Sequence, residues 1–171
     1  VNYFYGLPGW AVSIAAKDES GTLVGVVHSP TVNSTWHASK GGGAFLNDVK
    51  IACNNPVELN RALLSSGFAY DVRDRVEQLK IVNVLLPQIR DLRRIGSAAA
   101  DICHVATGMV DGYFETGLFE WDLAAAQLIA EVPSVATSAN APRAIHLSRS
   151  NNLPSLERRS ASTASTKNTI A

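Results

Sequence analysis

Long apolar runs, cysteine and net charge are all scarce in this 171-residue sequence, and each shortage removes a class of protein. No apolar run approaches the roughly 20 residues needed to cross a bilayer, so no transmembrane helix and no membrane partner are expected. The N-terminus carries no basic segment followed by an apolar stretch and a small-residue cleavage site, so no secretory signal is read there. Only two cysteines occur, Cys53 and Cys103, in unrelated contexts and without CxxC spacing. This argues against a disulfide framework and a cysteine zinc site, and fits a reducing compartment, so a cytoplasmic location is expected. Charged residues make up 18% of the chain, below the roughly 25% usual in soluble domains. What is present, 46% hydrophobic residues, suffices for one domain with a sizeable core and excludes a wholly disordered chain.

The zero net charge is a cancellation between unlike pieces. Residues 1–131 hold 10 Lys plus Arg against 14 Asp plus Glu, whereas residues 132–171 hold 5 basic residues and the single acid Glu157. The second piece has no glycine and no aromatic residue, but 8 Ser and 7 Ala. A segment so poor in apolar bulk does not easily offset its ordering entropy by burial, and a disordered or poorly packed tail is expected there. Its five scattered cations form no cluster and have no interleaved aromatics, so no nucleic-acid partner is expected.

Within residues 1–131, alternation at Trp10, Val12, Ile14 and Ala16, then Leu23 to His28, predicts a hairpin closed by the turn-rich Lys17 to Gly21. Thr35 to Ala38 and Ala44 to Leu46 continue it as an antiparallel meander. The intervening Gly41-Gly42-Gly43 reads as a turn, because a phosphate loop needs a following Lys-Ser or Lys-Thr and a helix. Beyond Pro56 the period changes. Ala62 to Phe68 predicts a strand, and Leu79, Val82, Leu86 and Ile89 lie on one face of a helix that Pro87 should end or kink. Arg93 to Ile95 predicts a strand, and Ser97 opens a helix striped by Ala98, Ile102, Val105 and Met109. Tyr113 to Thr116 predicts another strand, with a third helix from Asp122. A meander followed by alternating strands and helices predicts an α+β or layered α/β sandwich.

Two places can carry chemistry. Asp111, Glu115, Glu120 and Asp122 put four carboxylates within twelve residues, a grouping able to hold hard cations. Asp122 precedes an Ala-rich helix and reads equally as an N-cap. Glu115 closes an apolar strand at the same strand-to-helix gap, and Asp111-Gly112 and Glu120 read as a turn and a solvated residue. The second place is Gly96-Ser97-Ala98, small residues at a strand-to-helix junction, where a phosphate or sugar hydroxyl can approach free N–H donors. Ser97 lacks a GxSxG elbow, so a serine hydrolase is not favoured. No HExxH or other metal spacing occurs; His28 and His104 read as core-edge residues, with His37 on the meander and His146 in the tail.

The stretches starting Asn2-Tyr-Phe-Tyr-Gly-Leu-Pro-Gly-Trp-Ala-Val-Ser-Ile, Gly43-Ala-Phe-Leu-Asn47, Arg94-Ile-Gly-Ser-Ala-Ala-Ala100, Ala106-Thr-Gly-Met-Val-Asp-Gly-Tyr-Phe-Glu115 and Trp121-Asp-Leu-Ala-Ala-Ala-Gln-Leu-Ile-Ala130 resemble the inositol monophosphatase family over residues 1–131. The resemblance implies part of a five-layered αβαβα sandwich. It also implies Mg²⁺-dependent, lithium-sensitive hydrolysis of a small phosphate monoester, most simply myo-inositol monophosphate. Fructose 1,6-bisphosphate, histidinol phosphate and nucleotide bisphosphates are the alternative substrates within the superfamily. On this resemblance Asp122 is a metal ligand beside the substrate, Glu115 binds inositol hydroxyls, and Gly96, Ser97 and Ala98 form the backbone beside the substrate. A homodimer is common in the family. The family's Gly-Glu-Glu and Asp-Pro-Ile-Asp-Gly-Thr carboxylate segments are not in this sequence, and neither are the helices that precede its first sheet. The expectation is therefore a fragment that lacks the catalytic segment, leaves one face of that sheet exposed, and is inactive alone. The change of composition after Glu131 is expected to mark a tail foreign to the fold, of the kind a shifted reading frame produces. The rival reading from another class is a non-enzymatic fragment that binds a partner through the exposed sheet face and basic tail.

Overall fold

A computed structural model describes residues 1–54, 57–131 and 145–147. The meander forms: β1 (Val12–Asp18), β2 (Gly21–Ser29), β3 (Ser34–Ser39), β4 (Gly43–Leu46) and β5 (Val49–Lys50) make a five-stranded sheet in sequence order, every neighbour antiparallel. The first strand starts two residues later than the alternation predicts, because Trp10 is used differently: its carbonyl accepts the Ser29 hydroxyl at 3.0 Å. The β4–β5 connection is the two-residue turn Asn47-Asp48 with φ of 47° and 64°, which matches the twist of the flanking strands.

After β6 (Leu63–Ser66) come α1 (Val72–Leu85), β7 (Asp91–Arg93), α2 (Ala98–Ala106), β8 (Gly112–Thr116) and α3 (Glu120–Glu131). β7, β6 and β8 are parallel neighbours, and β9 (Ile145–Leu147) adds a further parallel strand beside β8. The expected boundary at residue 131 thus has one described strand beyond it; the rest of the expected tail lies outside the described residues. The architecture is a mixed α/β fold with an antiparallel sheet, a parallel sheet and three helices.

The core sits between α2, α3 and one face of the antiparallel sheet, where Val27, Trp36, Ala38 and Ala44 meet Ile102, Ala106, Ala126 and Ile129. α3 lies so close to β2 that a β-carbon on Gly25 would stand 2.7 Å from Ala125 Cα, so only glycine fits there. The opposite face of that sheet carries exposed Val12, Ile14, Val24 and Val26, as the resemblance led one to expect.

Three local expectations are corrected. Pro87 follows the end of α1 at Leu85, as predicted, but the predicted apolar stripe is not a core face: Leu79 and Leu86 are exposed, Ile89 is buried but outside the helix, and Gln78 is the buried residue of α1. Met109 lies beyond α2 and is 61% exposed, because the helix stops at Ala106 and the chain turns at Gly108 with φ of 72°. Asp122 is not the N-cap of α3, since that helix starts two residues earlier at Glu120.

Candidate active site

Between the C-terminal ends of the parallel strands and the starts of α2 and α3 opens a cavity of about 760 Å³. Open α/β sheets present ligands at this edge, because strand ends and helix N-termini converge there. Gly96, Ser97, Ala98, Glu115 and Asp122 all line this one cavity. Of the other two carboxylates in the sequence cluster, Asp111 serves the fold, accepting Leu63 N–H and Asn54 Nδ2 at 2.8 Å each, and Glu120 pairs with Lys17 on the surface at 2.7 Å.

Each lining residue is held by its element. β7 delivers the chain to Gly96, whose φ of 115° is a left-handed conformation that L side chains rarely adopt. Ser97 is the N-cap of α2 but its hydroxyl makes no capping bond, so the first N–H groups of the helix are not taken by that side chain. Asp122 sits in the first turn of α3 and reaches back to accept the Phe119 N–H at 3.1 Å, the carboxylate half of a capping box. The position suits an anion at a helix N-terminus and still leaves the carboxylate on the cavity wall.

Glu115 lies near the end of β8, and its Oε2 accepts the Tyr113 hydroxyl hydrogen. Burial pushes its pKa up, opposed by that hydrogen bond and by the Arg94 guanidinium, while the nearby Asp122 charge adds to the rise. Burial likewise pushes the Tyr113 hydroxyl up, so it stays a donor. Opposite lies Gly67, where any β-carbon would collide with the Glu115 carboxylate. The site is therefore shaped around Glu115 by a neighbouring glycine as well as by a hydrogen bond.

Sequence reasoning missed Asp101, Arg94, Asn2 and Gly67. Asp101 lines the cavity from inside α2, 1% exposed, and burial raises its pKa to about 7 against the Gly96 backbone N–H and the Arg94 charge. Its Oδ1 has no hydrogen-bond partner among the described residues and stands 4.0 Å from Nδ1 of His104, whose ring meets Trp36 edge-on at 5.5 Å. The signal was visible as the only carboxylate in an otherwise apolar helix. Asn2 lies far away in sequence and only the fold brings it to Gly96.

Among the described residues no group of three or more His, Cys, Asp or Glu could hold a metal ion. Asp122 alone, with Glu115 engaged by Tyr113, is not a donor set for clustered Mg²⁺ ions, whose mutual repulsion needs several carboxylates. No helix among the described residues is long and apolar enough to cross a membrane.

Comparison with known proteins places the chain among relatives of known family. The Mycobacterium bovis protein named inositol-1-monophosphatase is 41% identical over 148 residues, 84% of this chain and 51% of its own length. A Pasteurella multocida relative named Nus factor SuhB is 43% identical over 129 residues, 75% of this chain and 48% of its own. Among solved structures, Mycobacterium tuberculosis SuhB superposes with a TM-score of 0.74 at 42% identity, covering 77% of this chain and 56% of that one. The inositol monophosphatase of Anabaena gives the same TM-score at 35% identity, covering 77% and 53%. The chain spans about half the length of the curated relatives it matches. The family's sequence pattern matches residues 1–151, twenty residues past the expected boundary. With a parallel-sheet edge, a glycine-opened helix and a Trp-Asp helix start that all converge on one cavity, the chain belongs to the inositol monophosphatase family.

Proposed function

We propose that this stretch forms the polyol-binding wall of a phosphatase that hydrolyses a small phosphate monoester, with myo-inositol monophosphate the favoured substrate. The family is one of phosphoric monoester hydrolases that are generally Mg²⁺-dependent. The observation that carries the reading is the convergence of Glu115 and the Gly96–Ala98 turn on one cavity. Glu115 Oε2 is held by Tyr113, which leaves Oε1 to accept a ligand hydroxyl. The uncapped N–H groups at the start of α2 suit an oxygen-rich ligand beside it. Inside a five-layered family domain, Asp122 would contribute one metal ligand, and the remaining ligands would come from outside the described residues. The chain by itself is expected to release no phosphate.

The binding half of this reading is tested by titrating the chain with myo-inositol 1-phosphate and following backbone amide resonances. Shifts are expected at Gly96, Ser97, Ala98 and Glu115, with Glu115→Gln weakening binding about ten-fold, the scale of one hydrogen bond to a charged acceptor. Saturable shifts elsewhere, or equal affinity of the Glu115→Gln variant, would overturn it.

A further inference from the structure

The turn that opens α2 is gripped from outside by one side chain. Asn2 Nδ2 lies 3.0 Å from the carbonyl oxygens of Pro8, Gly9 and Ile95, so a single amide group ties the loop after the N-terminal turn to the residue before Gly96. The packing leaves no room for a β-carbon on either side. One on Gly9 would stand 2.8 Å from the Ile95 oxygen, and one on Gly96 would stand 2.5 Å from Asn2 Nδ2. Both glycines also have φ in the left-handed region, 86° and 115°. Two glycines in a conformation that L side chains rarely adopt face one amide that bridges 93 positions to Ile95, a built constellation and not a chance surface contact.

From these contacts we infer that Asn2 is a positioning residue, which fixes the Gly96–Ser97–Ala98 backbone at the cavity wall by clasping Ile95 to the Pro8–Gly9 loop. An asparagine amide suits the place because it supplies two N–H donors to carbonyls that face one another across a narrow gap. An aspartate would set a carboxylate against three carbonyl oxygens, and an alanine would leave Ile95 without this bond. The clasp acts through the turn, and Asn2 itself stands at the edge of the same cavity. Its value for catalysis rests on the function proposed above, but its effect on the turn does not.

The test uses amide hydrogen exchange in the 171-residue chain, native and as Asn2→Ala, Asn2→Gln and Gly9→Ala. Asn2→Ala should speed exchange at Asp101, whose N–H is bonded to the Ser97 carbonyl at 2.8 Å, at least ten-fold while α3 and β2 keep their protection, and Asn2→Gln should restore it to within about three-fold of native. Gly9→Ala, which leaves the Asn2 amide in place and pushes on the Ile95 oxygen, should give the same local pattern. Where the native chain shows saturable shifts with myo-inositol 1-phosphate, Asn2→Ala should weaken them at least ten-fold with the far-ultraviolet spectrum unchanged. Native exchange at α2 in the Asn2→Ala and Gly9→Ala variants, or an acceleration spread evenly over all strands, would overturn the clasp. A native chain blind to myo-inositol 1-phosphate would instead count against the functional reading and leave the exchange result to judge the clasp.

Discussion

α1 and α2 follow parallel strands of the same sheet, yet eight of the nine residues of α2 are buried, whereas Gln78 is the buried residue of the fourteen in α1. Both sequences carry apolar residues at helical spacing. The difference lies in what stands opposite: α2 is enclosed by β3, α3 and β8, whereas Val72, Val76 and Leu79 of α1 face no described neighbour that buries them. Periodicity reports which face a helix could bury, and packing decides whether it does. The buried residue of α1, Gln78, is polar and tied: its side chain accepts the Ala69 N–H at 2.8 Å and donates to the Thr116 carbonyl at 3.4 Å, bracing the segment before α1 against the end of β8.

This contrast can be broken from either side. The largest effect is expected in α2: Ile102→Ala should cost about 2–5 kcal/mol in chemical denaturation, because the side chain is 1% exposed and leaves a cavity in the main core. An equally small loss at Ile102 and at exposed sites would erase the distinction. Next is the carboxyl that α2 buries. Asp101 has its folded pKa raised from 3.8 to about 7, so its stabilising contribution is fully present below about pH 4 and is lost as the pH rises to about 7. Glu115, also raised, acts in the same direction. Asp101→Asn should therefore flatten the decline in stability between pH 4 and 7 by an amount on the order of 4 kcal/mol, measured as denaturation midpoints against pH. A pH profile unchanged by the substitution would mean that the carboxyl does not titrate where its burial places it.

On the α1 side, Leu79→Ala should cost less than about 1 kcal/mol, since the side chain is about half exposed and little packing is lost. The smallest change is expected at the surface pair that joins β1 to α3: Glu120→Gln removes the 2.7 Å contact with Lys17, and a double-mutant cycle should find about 0–1 kcal/mol, falling with added salt. A loss at Leu79 as large as that at Ile102 would show that α1 has a partner in solution.

The same contrast explains how far the sequence could be read. The first four strands of the meander and the starts of α2 and β8 were legible within one or two residues, because alternation and glycine punctuation act locally, whereas the two-residue β5 was too short to show a period. Asp122 and Glu115 were found through motif spacing, and both line the cavity. The start of α3 was missed because Asp122 caps from the first turn and not from the N-cap, which the local sequence does not distinguish. Asn2 and Gly67 were missed for a different reason. Their roles exist only where distant segments meet, Asn2 on Ile95 and Gly67 against Glu115, and no local period encodes such a meeting.

The central claim, that this chain supplies the substrate wall of a phosphatase, is tested most directly by phosphate release from myo-inositol 1-phosphate. The chain would be assayed alone and joined at its N-terminus to the Gly-Glu-Glu and Asp-Pro-Ile-Asp-Gly-Thr carboxylate segments that the family resemblance implies. The extended protein should release phosphate only with Mg²⁺, lose that activity in Asp122→Asn, and show in Glu115→Gln a KM raised about ten-fold, while the chain alone should release none. Turnover by the extended Glu115→Gln and Asp122→Asn variants at the rate and KM of the unsubstituted protein would contradict the account.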